Sequence, residues 1–383
     1  MNPKLVAHVK QKFEENFHVE PLMVFAPGRI NLIGEHTDYN DGLAFPAAVD
    51  KGIVMAVTKS TKTKTTAIAI DLNESYDFEM SNMEPLPDGG WRNYIIGVTA
   101  EIQKLGINVP TFQCAFSGDI PNGAGMSSSA ALENSLVFAL NELFEFGLSK
   151  NQMIRVSQLA EHNFAGVKCG IMDQYASMFG EENSALLLDC RSVESEAFSI
   201  DFKDYRLLLI NSNVKHELSE SAYNDRRAVC EKVAELLKVN ALRDASLEDL
   251  VKHKAMMSSS DFEKASYVVE EIQRVVQFSE AIEKNDLMTL GKLIYNSHEG
   301  LSNKYKVSCE ELDFLVAQTK NNDKILGARM MGGGFGGCTI NLIHKDEVAS
   351  FSKEIQDNFK NEFNYDCSIY RVSLGQGTRV IEG

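Results

Sequence analysis

Apolar positions recur with helical spacing over residues 4–17, where Leu5, Val6, Val9, Phe13 and Phe17 share a face, and Pro21 ends the pattern. LMVFA then reads as a strand, Pro27-Gly28 as a turn, and INLIG as a strand resumed. Residues 49–71 are β-rich, with the basic KSTKTKT predicted as an exposed hairpin, and 72–90 read as a polar loop ending in PLPDGG. A helix is predicted from Trp91, which shares a face with Tyr94. TFQCAFSGD (111–119) is a strand that feeds DIPNGAGMSSSAALE. After it, Leu132, Leu136, Ala139, Leu140 and Leu143 fall on a helical period. A second helix follows Ser149, with Ile154, Leu159 and Ala160 on its face and Glu161 and His162 near its C-terminus. ALLLDC (185–190) and YRLLLIN (205–211) are buried strands, and a domain boundary is predicted between Asp189 and Lys203. A polar lead-in, NSNVKHELSESAY, becomes a helix, and 246–320 is helical scaffold in which His298 and Lys304 are weak site candidates. The chain closes with the strand TINLI, an amphipathic helix and a strand pair.

The 383 residues suffice for two domains, and 44% hydrophobic with 24% charged residues is ordinary for a soluble protein. A net charge of -16 argues against a general nucleic-acid surface but leaves room for one local anion site. No apolar run is long enough for a membrane span, and the first residues lack a secretory apolar region. Seven cysteines without a CxxC pair predict reduced thiols and a cytoplasmic setting.

Three stretches carry chemistry. In the first, Gly123 and Gly125 let backbone approach a ligand, and Ser127, Ser128 and Ser129 open a helix whose first-turn N–H groups lack partners. Strand, glycine loop and helix N-terminus in that order suit an anion, usually phosphate. The alternative is a well-capped structural helix. The stretch has neither the GK[ST] of a P-loop nor GxGxxG. In the second, Glu35-His36-Thr37-Asp38-Tyr39-Asn40-Asp41-Gly42 is pinned between apolar runs, with Arg29 at its entrance. Such a loop suits several hydroxyls, as in a sugar, while a metal or a solvated turn are the alternatives. The third, GARMMGGGFGGCTI, places the five glycines of GGGFGG before a strand and implies close backbone approach, or else a hinge. Outside these, Asp173 stands in an apolar surround and is a candidate base or metal ligand, or the N-cap of its helix. Glu161, if buried, calls for a cation such as Mg²⁺. Trp91 and Tyr94 belong either to the core or to the wall of a planar ligand. Tyr223, with Arg226 and Arg227, faces either the site or solvent.

RINLIGEHTDYNDG closely resembles the galactokinase signature. PNGAGMSSSAALE and GARMMGGGFGGCTI resemble the second and third motifs of the broader GHMP kinase superfamily. Order and spacing match over essentially the whole chain, with Met126 standing where leucine is usual; CGIMDQ and AYNDRR point to galactokinases in particular. The resemblance implies an α/β (α+β) GHMP kinase fold. An N-terminal domain like ribosomal protein S5 domain 2 would span 1–195, with 370–383 returning to it, and a ferredoxin-like C-terminal domain would span 196–369. It implies ATP and Mg²⁺ as cofactors and transfer of phosphate to the C1 hydroxyl of α-D-galactose. Arg29 and Asp173 would be catalytic. Glu35, His36, Thr37, Asp38, Gly170, Asp173 and Tyr223 would bind the sugar. Gly123, Ala124, Gly125, Met126, Ser127, Ser128, Ser129 and Ala130 would cradle the nucleotide, with Trp91 and Tyr94 near its base. Ser128, Ser129 and Glu161 would meet the metal.

The implied partners are galactose and ATP, with no nucleic acid or membrane, in a monomer or weak homodimer. Two rival readings share the scaffold: a kinase of N-acetylgalactosamine, mevalonate or a related substrate, and a non-catalytic galactose/ATP sensor. Sensor relatives lack part of the serine-alanine run, which is intact here at Ser127–Ala131. A Rossmann dehydrogenase fails for want of an early GxGxxG.

Overall fold

The computed structural model describes residues 1–81, 83–214 and 219–382, without the side chains of 219–222. The polar lead-in at 215–218 therefore lies outside the described residues. The N-terminal half runs α1 (Pro3–Phe17), β1 (Leu22–Asn31), β2 (Leu43–Ala44), β3 (Pro46–Lys59), β4 (Thr65–Ala69), β5 (Glu74–Phe78), α2 (Trp91–Lys104), β6 (Phe112–Gly118), α3 (Ser128–Phe144), α4 (Lys150–Ala160), α5 (Met172–Phe179), β7 (Ser184–Asp189) and β8 (Glu194–Ser199). The rest runs β9 (Tyr205–Asn211), α6 (Ser219–Leu237), α7 (Leu247–His253), α8 (Ser259–Glu283), α9 (Leu287–Gly300), α10 (Glu310–Thr319), β10 (Ile325–Met330), β11 (Cys338–His344), α11 (Val348–Phe363), β12 (Ser368–Arg371) and β13 (Arg379–Val380).

A six-stranded sheet in the order β13-β1-β3-β6-β4-β5 forms the first half. Its strands alternate faces, as a period of two requires. Phe25, Val54, Ala56 and Ala115 meet α1 through Val9 and Phe13. Val24, Met55, Val57, Cys114 and Phe116 instead face the cluster built with α2, α3 and α4. The second half carries a four-stranded antiparallel sheet, β10-β11-β9-β12. Numbered within that half, the order is 2-3-1-4, the split βαβ of a ferredoxin-like unit. Leu208 and Ile210 of β9 pack on α11, whereas Leu207 and Leu209 join a cluster with Ile30, Phe45 and Met126 of the first half. This shared apolar layer holds the halves together and places the site at their junction.

Several local expectations change. Pro27-Gly28 is not a turn; β1 continues through it with a register shift between Pro27 and Arg29, a bulge that re-aims the following side chain. KSTKTKT joins no hairpin, because β6 lies between β3 and β4 and pairs with both. The 72–90 loop contains β5. The closing strands are not a pair: β12 adds to β9 and β13 to β1, antiparallel in each case. Leu159 is exposed, while Ile154 and Ala160 are buried. All seven cysteines are free.

Candidate active site

A cavity of about 300 Å³ lies where the halves meet, lined by Arg29, the loop around Glu35–Asp38, Gly123 and Gly125, Glu161, Asp173, Tyr223 and the third glycine stretch. Its centre is an ion pair. Arg29 Nε donates to Asp173 Oδ1 at 2.6 Å and Nη2 to Oδ2 at 2.5 Å, while Nη1 reaches the carbonyl of Gly125. The guanidinium is buried and the carboxylate one-fifth exposed, so the pair is anchored on one side and open on the other. The register shift, one β1 residue facing three on β3, lies where Arg29 turns here: its N–H donates to Met126 O at 3.0 Å, and a Cβ on Gly28 would lie 2.7 Å from that oxygen. Asp173 is in the first turn of α5, with Ile171 rather than Asp173 at the N-cap position.

The glycine loop is shaped by left-handed backbone at Gly123, Gly125 and Ser127. Ala124, Met126 and Ala130 turn their side chains into the core, leaving backbone to face a ligand. Ser127 occupies the N-cap position of α3 without capping it; its hydroxyl donates instead to Asp173 Oδ2 at 2.7 Å. The first-turn N–H groups, beginning at Ser128 and Ser129, are thus left without that cap.

The polar loop divides its labour. Glu35, almost fully buried, accepts at Oε1 from Gly332 N–H at 2.8 Å and from both terminal nitrogens of Arg329 at 3.2 Å. His36 places Nδ1 2.8 Å from the Tyr39 hydroxyl and Nε2 3.2 Å from Gly333 O. Burial pushes its pKa down to about 3, so the ring is neutral. Thr37 does not line the cavity; its hydroxyl sits 2.8 Å from the carbonyls of both Gly34 and Leu43 and clasps the loop shut. Asp38 faces the cavity, and burial, then the charge of Asp173, lifts its pKa to about 7. Gly170 packs so tightly that a Cβ would meet Asp38 Oδ2 at 2.1 Å, which fixes that carboxylate.

Glu161 ends α4 at a one-turn π segment, Glu161–Ala165. Burial, then Asp173, raises its pKa to about 7, and the Ser129 hydroxyl partly offsets this. Gln174 Nε2 donates to Glu161 at 2.9 Å and to fully buried Glu133 at 3.3 Å, and Glu133 Oε1 has no partner among the described residues. Among the described residues no group of three or more His, Cys, Asp or Glu is arranged to hold a metal. A hydroxyl beside one poorly solvated carboxylate nevertheless fits a hard cation that takes its other oxygens from a ligand. Because Glu161 ordinarily titrates near 4.5, the unliganded protein binds more protons than the unfolded chain from about pH 4.5 to about 7. Stability is expected to fall over that window as pH rises and to level off above it. Thermal midpoints of wild type and Glu161→Gln at pH 5 and pH 8 check this: the variant should lose less.

Sequence reading missed Arg329. It is fully buried, donates to the carbonyls of Leu32 and Met330 at 3.0 and 2.7 Å and to that of Asn31, and pairs with Glu35. The available signal was one cation inside the apolar strand ILGARM. The third glycine stretch that follows lies on the first: a Cβ at Gly125 would be 3.1 Å from Met331 O. Tyr223 rests on His36, ring centroids 5.4 Å apart, so it faces the site. Arg226 and Arg227 turn to backbone, at Tyr305 O and Lys168 O. Trp91 and Tyr94 lie apart from this cavity, packed on the core of the first half, and Trp91 Nε1 donates to Glu74 at 2.8 Å. His298 accepts from Met330 N–H, and Lys304 pairs with Glu270.

Comparison with known proteins bears on this arrangement. The family model of the galactokinase galactose-binding signature matches residues 11–59, the GHMP kinases N terminal domain 93–181, and the GHMP kinases C terminal domain 278–361. The chain is 40% identical over 360 residues to a galactokinase of Thermotoga petrophila, covering 94% of this chain and 100% of that one. The crystal structure of Lactococcus lactis galactokinase complexed with galactose matches with a TM-score of 0.94 at 30% identity, covering 98% of this chain and 100% of that one. Methanococcus jannaschii mevalonate kinase matches in fold, with a TM-score of 0.64 at 18% identity over 93% of this chain and 99% of that one.

Proposed function

The chain belongs to the galactokinase family, and from that premise we propose how its residues divide the reaction it catalyses, phosphoryl transfer from ATP to galactose giving galactose 1-phosphate. The observation that carries the assignment is the Arg29–Asp173–Ser127 constellation, set between a hydroxyl-binding loop and an uncapped helix end. The C1 hydroxyl of galactose sits against the open side of Asp173, which accepts its proton. Phosphoryl transfer passes through a loose transition state, so proton removal comes late and a weak base is enough. Arg29, held on both carboxylate oxygens, is a fixed cation where charge accumulates. Asp38, Glu35 and His36 shape the sugar pocket, and Tyr223 covers it.

The backbone of Gly123–Ser127 and the first turn of α3 receive the phosphates. The fold uses ATP with Mg²⁺ in general. Glu161, with Ser128 or Ser129, would hold the ion, whose chemistry is to neutralise charge on phosphate oxygens. Trp91 and Tyr94 are retained as candidates near the adenine. Residues 1–195 with the returning C-terminal strand, and 196–369, are retained as the two domains. Among the described residues no helix is long and apolar enough to cross a membrane.

A coupled ADP-release assay tests substrate choice. With Mg-ATP, turnover is expected with galactose and at least ~10²-fold less with glucose, N-acetylgalactosamine or mevalonate, because a buried polar group left unpaired by the wrong sugar is costly. Fast release with N-acetylgalactosamine would move the assignment to that rival. Binding of galactose and ATP without release would favour the sensor.

A further inference from the structure

A line of hydrogen bonds leaves the sugar pocket and enters the helical scaffold of the second half. Tyr39 Oη lies 2.8 Å from His36 Nδ1 and 2.7 Å from Tyr305 Oη, and Tyr305 Oη lies 3.4 Å from Cys230 Sγ. At the other end His36 Nε2 is 3.2 Å from the carbonyl of Gly333. The chemistry of these groups fixes the direction of every proton. A carbonyl only accepts, so Nε2 carries the hydrogen. A neutral imidazole has one N–H, so Nδ1 must accept, and Tyr39 must donate to it. Tyr39 has then used its one proton and accepts from Tyr305, which accepts in turn from the Cys230 thiol.

We infer that Tyr39, backed by Tyr305, is a positioning residue that holds the His36 ring at Nδ1, in the Nε2–H tautomer that the Gly333 carbonyl sets, and through it holds the third glycine loop against the first motif. Two consecutive residues of that loop are pinned this way: Gly332 by its N–H on Glu35 and Gly333 by its carbonyl on His36. The loop is tied at its other residues too: Met331 N–H donates to Cys338 O, and Gly337 O accepts from the N–H and hydroxyl of Ser212. Phe335 N–H donates to Val307 O, and a Cβ on Gly334 would lie 2.2 Å from that oxygen. The inference rests on the reading above only in taking the first glycine loop, on which this one lies, to receive the nucleotide phosphates.

The test is Tyr39→Phe, with Tyr305→Phe as a second variant; each removes one oxygen and keeps the ring that packs on its neighbours. The imidazole ¹⁵N resonances of His36 report the tautomer directly. Wild type is expected to show a protonated Nε2 and an unprotonated Nδ1. In Tyr39→Phe the two resonances should move toward averaged positions, and KM for ATP should rise roughly ten-fold, the scale of one lost buried hydrogen bond. Tyr305→Phe should change both readouts in the same direction and by less. A protonated Nδ1 in wild type, or unmoved resonances in Tyr39→Phe, overturns the proton order. Moved resonances with an unchanged KM for ATP overturn the link from His36 to the loop. Failure of the galactokinase reading would appear separately, as a wild-type enzyme inactive on galactose.

Discussion

Asp173→Asn is expected to lower kcat for galactose phosphorylation by about 10²–10⁴-fold while nucleotide binding survives. The wild-type carboxylate receives two Arg29 donors and the Ser127 hydroxyl. An amide has one accepting oxygen, and its NH₂ would face an Arg29 donor in either orientation, and Ser127 as well when it replaces Oδ2, so the pair loses a bond as well as a charge. Both consequences act on the reacting hydroxyl: no anion takes its proton, and the guanidinium is no longer held on its site. The proposed phosphate cradle adjoins the pair through Ser127 and Gly125, but its shape comes from the left-handed backbone at Gly123, Gly125 and Ser127, which the substitution leaves in place. Stopped-flow ADP release with parallel nucleotide titration separates the two effects. Turnover within a few-fold of wild type would remove Asp173 from the chemistry.

Arg329→Met is expected to destabilise the fold by about 3–5 kcal/mol, the usual cost of removing one partner from a buried ion pair. The guanidinium serves three backbone carbonyls and Glu35 from full burial, and without it Glu35 keeps only the Gly332 N–H. Lysine is a poor substitute there, since a point charge cannot serve that many directions at once. Glu35→Gln combined with Arg329→Met should recover part of the loss, because the stranded charge is gone. Denaturant unfolding of the single and double variants reads both numbers. A double variant no more stable than Arg329→Met would show that Glu35 carries little of the cost.

What could be read in advance follows from how local each signal is. Helices with a full apolar stripe, such as α1 and α11, were legible because burial imposes a short period. The three chemical stretches were legible because glycine and clustered short polar groups have few purely structural uses. Strand partnerships were not: nothing in KSTKTKT says that β6, some 50 residues on, will insert between its flanking strands. Pro27-Gly28 has the composition of a turn, but a bulge satisfies the same backbone limits. Thr37 sits in a motif whose neighbours face the cavity, yet its hydroxyl closes the loop instead. Arg329 was passed over because a single residue inside a strand gives no pattern; only the fold shows that strand lying against the loop it serves.

The return of β13 to β1 has a consequence for the order in which the protein is made. β1 leads into Arg29, and α5 carries Asp173; the tail braces both. Val24 and Phe25 pair with Val380 and Arg379, while Thr378 and Gly377 donate to Ser177 and Gly180 at the end of α5. The sheet that begins with residue 22 is therefore completed by residues 379–380, after every element of the second half has left the ribosome. A nascent chain cannot finish its first half and wait. The halves mature together, and Arg29 and Asp173 gain their final bracing only after the second half has been made.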